Sequence, residues 1–450
     1  MNKYILLVLV LFLSSCAAKK KAAELEAYPD WVKKKPIVQG YYIGIGSANK
    51  VGTSPQYTAE ARRDALSNMA EDISSQVSSS SVLHTIENDY GVTESFIQKI
   101  EIETDDYLEG FEPVDSYETE SLYWMYYRIF KSTYHEMKEQ KKQEAIANAL
   151  AKYESGLQQL NENKPKEAIS FYLQGLQALK RYLSEETPTD FNGNSIDLGS
   201  KLYSSLNDIL SNCTIQSEKE EFSVTRGKTI REPIRFQVLF NNTPINDLPV
   251  HFSYSGGYLK TSVVNTDING WVECLPGVIK SKNTSETLTA KINIERIANK
   301  AVDDLFIRGI ALKKKLNSSK SYINILAPKV YFSISESPCS NNKCSRIKET
   351  FVERATARNF DVTDTISDSN YYFELSYKFK PGQRAGNLVQ VEIISELKVT
   401  NAEHKILFLK KFANIKGVGT IINEAEDKAF QEYLNSLKRR YFEQGFNKLF

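Results

Sequence analysis

Ala61, Ala65, Met69, Ile73 and Val77 recur every fourth residue from Ala59 to Val77, the spacing of an apolar stripe along one helix face packed on a sheet. Ahead of it, Gly40–Ala48 is apolar and glycine-bearing, which predicts a strand closing on a turn, and Tyr28–Val32 predicts a linker. After a Ser-rich break and a mixed segment, Thr93–Asp105, two stretches predict strands, Tyr107–Glu118 and Ser121–Phe130. The second carries Tyr123, Trp124, Tyr126, Tyr127 and Ile129, aromatic and β-branched side chains suited to a pleated surface. Alternate rings should face opposite sides of that strand, one set in a core and the other free to form a partner-binding edge.

The period then lengthens. From Glu136 to Leu183, Ala145, Ala149, Tyr153, Gly156 and Leu157 mark one helix and Ala168, Ile169, Tyr172, Gly175, Leu176 and Leu179 a second, broken at Asn161–Pro165. Small residues facing aromatics across a short turn resemble one tetratricopeptide unit, read here as a hairpin that continues through Leu198–Leu210 and joins domains. From Phe222 the period becomes two, at Ile234–Phe240, Pro249–Tyr254, Thr261–Asn265, Trp271–Leu275 and Thr287–Ile294, with turn residues at Asn241–Pro244 and Asp267–Gly270. That is the pattern of a β-sandwich. The segment from Arg296 to Leu316 departs from it. Beyond Pro328 the pattern predicts a strand (Lys329–Ser335), a helix (Ser345–Asn359), three strands (Tyr371–Phe379, Leu388–Thr400, Lys405–Phe412) and a closing helix, Asn423–Phe450. This is an α+β layer with helices on one face of a mixed sheet.

The N-terminus has a different character. Lys3 precedes an uninterrupted apolar run, Tyr4–Leu13, that ends in Leu13-Ser14-Ser15-Cys16. The run is too short to span a bilayer, which takes about 20 residues, and it ends in small residues open to a peptidase. It resembles the signal and lipobox of bacterial lipoproteins. The resemblance implies that Cys16 becomes the first mature residue and carries fatty acyl (palmitate-type) chains, several of which anchor stably. Ala17-Ala18-Lys19-Lys20-Lys21 has no Asp after the cysteine. It therefore lacks what resembles an inner-membrane retention signal, and the expected address is the outer membrane with the domains in the periplasm.

Further residues carry a second resemblance. Pro29-Asp30-Trp31, Tyr42-Ile43-Gly44-Ile45-Gly46-Ser47-Ala48, Ala61-Arg62-Arg63-Asp64-Ala65, and Val114-Asp115-Ser116-Tyr117 before Tyr123–Arg128 are similar to the LPP-twenty family of bacterial lipoproteins over Tyr28 to about Glu136. The family implies a small α+β domain and brings no active-site residues. Pro249–Phe252, Gly256-Gly257 and Asn265–Val272 resemble bacterial immunoglobulin-like repeats over about Glu221–Pro328. The fold expected is thus multidomain α+β: a signal peptide at 1–15, a lipidated tether at 16–27, an LPP-twenty-like α+β domain at 28–136, a helical hairpin linker at 137–215, an immunoglobulin-like β-sandwich at 221–328 and a C-terminal α+β domain at 329–450.

Composition narrows function mostly by exclusion. The 450 residues suffice for about three domains, and a net charge of +1 leaves no basic stripe of the kind nucleic acid requires. Beyond Cys16 there are four cysteines. Cys339 and Cys344 flank a short polar turn and are the candidate disulfide, whereas Cys213 and Cys274 either pair or remain buried thiols. No cofactor, metal or catalytic group is indicated. Gly44 and Gly46 lack the Lys-Ser/Thr of a phosphate loop and read as a strand end. His84, His135, His251 and His404 are scattered. Glu101, Glu103, Asp105 and Asp106 alternate with Ile100, Ile102 and Thr104, the mark of a solvated strand face rather than paired catalytic carboxylates. Asp267–Asn269 offers too few oxygens for calcium, which takes about six to eight.

The expected protein is therefore no enzyme. It is a lipid-anchored scaffold or assembly factor that meets the membrane through Cys16 and binds an envelope protein or the peptidoglycan machinery. The rival readings are an activator of a peptidoglycan synthase and an unrecognised hydrolase. An activator reaching from the outer membrane would want a long tether, and Ala17–Ala27 spans at most about 40 Å at ~3.6 Å per residue.

Overall fold

A computed structural model describes residues 28–73, 80–90, 110–335 and 341–450. The chain divides into two compact units, residues 1–212 with 294–315, and residues 213–293 with 316–450. Mixed helices and several sheets make it a multidomain α+β protein, as the patterning predicts.

The first unit opens on a helical turn, α1 (Asp30–Lys33), where a linker is expected. Strands β1 (Tyr41–Asn49), β2 (Glu112–Glu118) and β3 (Leu122–Phe130) form an antiparallel sheet in the order β1-β3-β2. Tyr41 lies opposite Phe130 and Asn49 opposite Leu122. The β2–β3 register slips between Pro113 and Asp115, a bulge on an edge strand whose proline has no N–H to offer. Helix α2 (Ser54–Ile73) buries Ala61, Ala65, Leu66 and Met69 against Met125, Tyr127 and Ile129, so the alanine stripe does what its spacing predicts. Val77 lies outside the described residues, as do Thr93–Asp105 and the first part of the predicted 107–118 strand.

Helix α3 (Val82–Tyr90) buries Val82, Leu83 and Ile86. Helices α4 (Lys131–Asn161) and α5 (Pro165–Ala178) form the predicted hairpin, with the break at Asn161–Pro165. Its helices approach closely because a Cβ on Gly156 would come within 2.2 Å of the Tyr172 ring. A short hairpin of β4 (Pro188–Phe191) and β5 (Asn194–Asp197) leads to α6 (Leu198–Asn212), whose Tyr203 hydroxyl donates to Asp89 at 2.7 Å. Two helices from far along the chain complete this layer, α7 (Ile294–Ala301) and α8 (Leu305–Lys313). They bury Ile294, Ile297, Ala298, Ile307, Ile310 and Ala311. They occupy the stretch that broke the sandwich pattern.

In the second unit, β6 (Cys213–Ser217), β7 (Glu221–Thr225), β8 (Ile234–Phe240), β9 (Thr243–Pro244), β10 (Pro249–Tyr254), β11 (Val263–Asn265), β12 (Trp271–Cys274), β13 (Ser285–Ile292) and β14 (Ser318–Leu326) build two sheets, ordered β11-β10-β13-β14-β7 and β12-β8-β6, with β9 beside β8. Buried and half-buried residues alternate strictly along β8, as on a sheet with one face in a core. Phe236 and Phe252 meet across the sheets, ring centroids 5.8 Å apart. β7 joins β14 in parallel.

The remaining elements are β15 (Lys329–Ser335), α9 (Asn341–Thr356), β16 (Asp361–Thr363), β17 (Tyr371–Ala385), β18 (Leu388–Asn401), β19 (Ile406–Gly419), α10 (Ile422–Ser436) and α11 (Phe442–Phe446). They form a mixed sheet, β16-β15-β17-β18-β19, with the helices packed on one face around Phe332, Phe351, Phe373, Tyr433, Phe442 and Phe446. β16 and a π-helical turn over Leu437–Tyr441 are additions to the predicted order.

Candidate functional site

The residues weighed for chemistry, and read as structural, are dispersed. Gly44 and Gly46 lie mid-strand in β1 rather than at its end, and a Cβ there would stand 2.1 Å from the Ala65 carbonyl oxygen and 2.0 Å from the Ala65 nitrogen, respectively. Their absent side chains let α2 lie directly on the strand, which leaves no room for a phosphate. His84 approaches Glu87 at 4.0 Å, His135 lies 3.5 Å from the Tyr42 hydroxyl, and His404 stacks on Tyr372. Among the described residues, no group of three or more His, Cys, Asp or Glu is placed to hold a metal. Asp267 accepts from the backbone of Asn269 and Trp271 at 2.9 and 2.8 Å, the bonds of its turn. Glu101, Glu103, Asp105 and Asp106 lie outside the described residues, as does Cys16.

The cysteines separate cleanly. Cys213 and Cys274 are buried free thiols rather than a pair. Burial pushes the Cys213 thiol up to about 12 and the Cys274 thiol up to about 11, because the thiolate would lose its water. Cys344 is disulfide-bonded, and Cys339 lies outside the described residues.

The aromatic strand is where predicted residues do converge. On β3, Met125, Tyr127 and Ile129 point to α2, so Trp124, Tyr126 and Arg128 take the other face. That face is already partly covered. The Trp31 ring, delivered by the α1 turn, lies 5.7 Å from Tyr126, and its Nε1 donates to Asp115 at 2.9 Å. Tyr28 packs on Tyr117, 5.5 Å between centroids. Tyr126 is therefore buried, and burial raises its hydroxyl pKa against the opposing pull of Arg128. Arg128 stands 4.6 Å from the Tyr41 ring and pairs with Glu112, whose hydrogen bond raises the guanidinium further. Exposed Val114 and Phe130 border the patch. The result is an aromatic face with charges of both signs at its edge. The Trp31 cover was hidden in the sequence because its partners, Asp115 and Tyr126, lie more than eighty residues away.

Residues 29–124 match the model of the LPP20 lipoprotein family. Over these residues the N-terminal domain is thus similar to LPP20 lipoproteins, which fits a lipid-anchored envelope protein. The match takes in Trp31, β1, α2 and β2 and stops within β3, and it does not reach the sandwich expected to be immunoglobulin-like. Solved structures with detectable likeness include a minor lipoprotein from Acinetobacter baumannii, 11% identical over 27% of this chain and 91% of that chain, TM-score 0.21. Lipoprotein GNA1162 from Neisseria meningitidis is 7% identical over 24% of this chain and 94% of that chain, TM-score 0.19. The secreted protein HP1454 from Helicobacter pylori is 13% identical over 90% of this chain and 100% of that chain, TM-score 0.14. Likenesses this distant carry no information about activity. No curated protein matches the chain.

Proposed function

We propose that the protein is an outer-membrane lipoprotein, acylated on Cys16, that holds its domains in the periplasm as a non-enzymatic scaffold or assembly factor. The observation that carries this reading is the order of segments: a positive and apolar leader ending in Leu13-Ser14-Ser15-Cys16, a tether of a dozen residues or fewer, then the LPP20 match beginning at residue 29. Among the described residues no helix is long and apolar enough to cross a membrane, and the acyl group would supply the attachment. Stable anchoring takes more than one chain. Cys339 is the expected disulfide partner of Cys344, which lies in the first turn of α9. The Trp31–Tyr126–Arg128 face is the surface we assign to a protein partner.

Replacing Cys16 by Ala should move the protein from the membrane to the soluble fraction and abolish palmitate incorporation. Continued membrane partitioning would sink the anchor. Protease shaving of intact cells should leave the domains whole, and their removal would place them outside the cell. Crosslinking in native envelopes should recover a reproducible protein partner, reduced in a Trp31→Ala variant; if none is recovered the scaffold reading fails.

A further inference from the structure

Outside that face, a buried charge in the second unit lacks a counterpart among the described residues. Arg226 follows β7 and is only 4% exposed. Its guanidinium is sandwiched between two rings, 4.6 Å from the Phe360 centroid and 4.7 Å from the Phe450 centroid. One terminal nitrogen, Nη2, donates to the Arg358 carbonyl at 2.7 Å, and Nε is buried without a hydrogen-bond partner. No carboxylate pairs with it among the described residues. An arginine does not shed its proton, so this cation remains charged even though burial and the neighbouring Arg358 pull its pKa below the usual value. A buried charge is normally paired.

Arg226 lines a cavity of about 210 Å³, together with Lys280, Lys282, Arg358 and Asn447. Every charged side chain of that lining is cationic. Arg358 is already partnered, since it shares the Glu443 carboxylate with Arg354, and its Nη1 is spent on Asn447 at 2.8 Å. Lys280 and Lys282 have no acidic partner among the described residues. Backbone bonds hold the cavity's wall in place, Gly227 N to Ile279 O at 2.7 Å and Ile279 N to Lys228 O at 3.0 Å, while Asn359 Nδ2 donates to the Lys282 carbonyl at 3.0 Å. Gly227 is required here: its φ is +89°, and a Cβ would come within 2.4 Å of the Phe450 ring. The backbone thus lets the aromatic plates close on the arginine.

We propose that this cavity binds the phosphate group of a small ligand or lipid headgroup, with Arg226 as the buried contact and Lys280 and Lys282 at the mouth. Three uncompensated positive charges favour a dianionic oxyanion over a single carboxylate, and the volume admits a phosphate with only a few attached atoms. The proposal stands apart from the anchor reading, because a Cys16→Ala protein should bind as well as the acylated one.

The test is titration of the full-length protein with inorganic phosphate at constant ionic strength, followed by calorimetry and thermal denaturation. A saturable heat and a rise in Tm are expected, and chloride should give neither. The Lys280→Ala/Lys282→Ala double variant alters only exposed side chains, so it should keep the ligand-free Tm and bind about tenfold more weakly. Arg226→Lys, which keeps the charge but loses the planar fork, should weaken binding further. No saturable response, or one unchanged in the double variant, would overturn the site. Binding of the Cys16→Ala protein to phosphatidic acid vesicles, lost in the double variant, would assign a lipid headgroup. Response to free phosphate with no vesicle binding would assign a soluble ligand.

Discussion

Glycine decides local geometry twice in this molecule by the same means. In β1, Gly44 and Gly46 admit Ala65; in β19, Gly417 and Gly419 admit α10, where added Cβ atoms would stand 2.1 Å from the Ala425 oxygen and 2.7 Å from its nitrogen. Both sites pair a Gly-x-Gly strand with an alanine-lined helix. Ala substitution at Gly46 or Gly417 meets backbone, which cannot rotate away, so each should lose at least about 2 kcal/mol in urea unfolding. Gly309, inside α8, has nothing within 4 Å of its would-be Cβ, and Gly309→Ala should instead gain about 0.5–1 kcal/mol. The buried thiols give a second residue-scale expectation. With pKa values near 12 and 11, Cys213 and Cys274 should resist a thiol-specific reagent at pH 8 and react on addition of denaturant; rapid reaction in the native state would refute their burial. The glycine pairs were visible as residues in the sequence, yet their role was not, since close approach depends on which helix crosses the strand.

The elements divide by how locally they are specified. α2, the α4–α5 hairpin and β8 carry their period within their own residues, and the sequence reading located them closely. α7 and α8 escaped it, being eight and nine residues long and embedded in a run of strands. Their placement rests on contacts with a helix over a hundred residues earlier. Asp304 shows how that placement is secured. Its carboxylate accepts from the Phe306 and Ile307 amides at 2.9 and 3.0 Å, capping α8, and pairs with Lys180 at 2.7 Å. Burial alone would raise its pKa, but the Lys180 and backbone hydrogen bonds outweigh it and hold the carboxyl below its usual range. The stabilisation is therefore complete above the ordinary carboxylate pKa of about 4 and fades as the pH falls through the lowered folded value. Asp304→Ala should cost about 2 kcal/mol at pH 7, with the gap to wild type closing in more acidic buffer. A gap that does not depend on pH would show that the carboxylate charge contributes nothing.

At the scale of the whole molecule, fold class and the LPP20 resemblance were legible, because they reside in periodicity and in a compact cluster of motifs. The candidate phosphate site was not. Arg226, Lys280, Lys282 and Arg358 are ordinary basic residues in their own surroundings, and they meet only through β7, the approach to β13 and the end of α9. The two-unit division was equally hidden, since the first unit takes residues 294–315 from the middle of the second. That loan has a consequence in time. During synthesis the N-terminal helices emerge long before α7 and α8 exist, so the apolar surface that these later helices cover must wait, exposed, until residue 315 has been made. A chain truncated after residue 293 should therefore be protease-sensitive over α4–α6, and one that extends past residue 315 should be resistant there. The half of the protein that is made first is thus finished late.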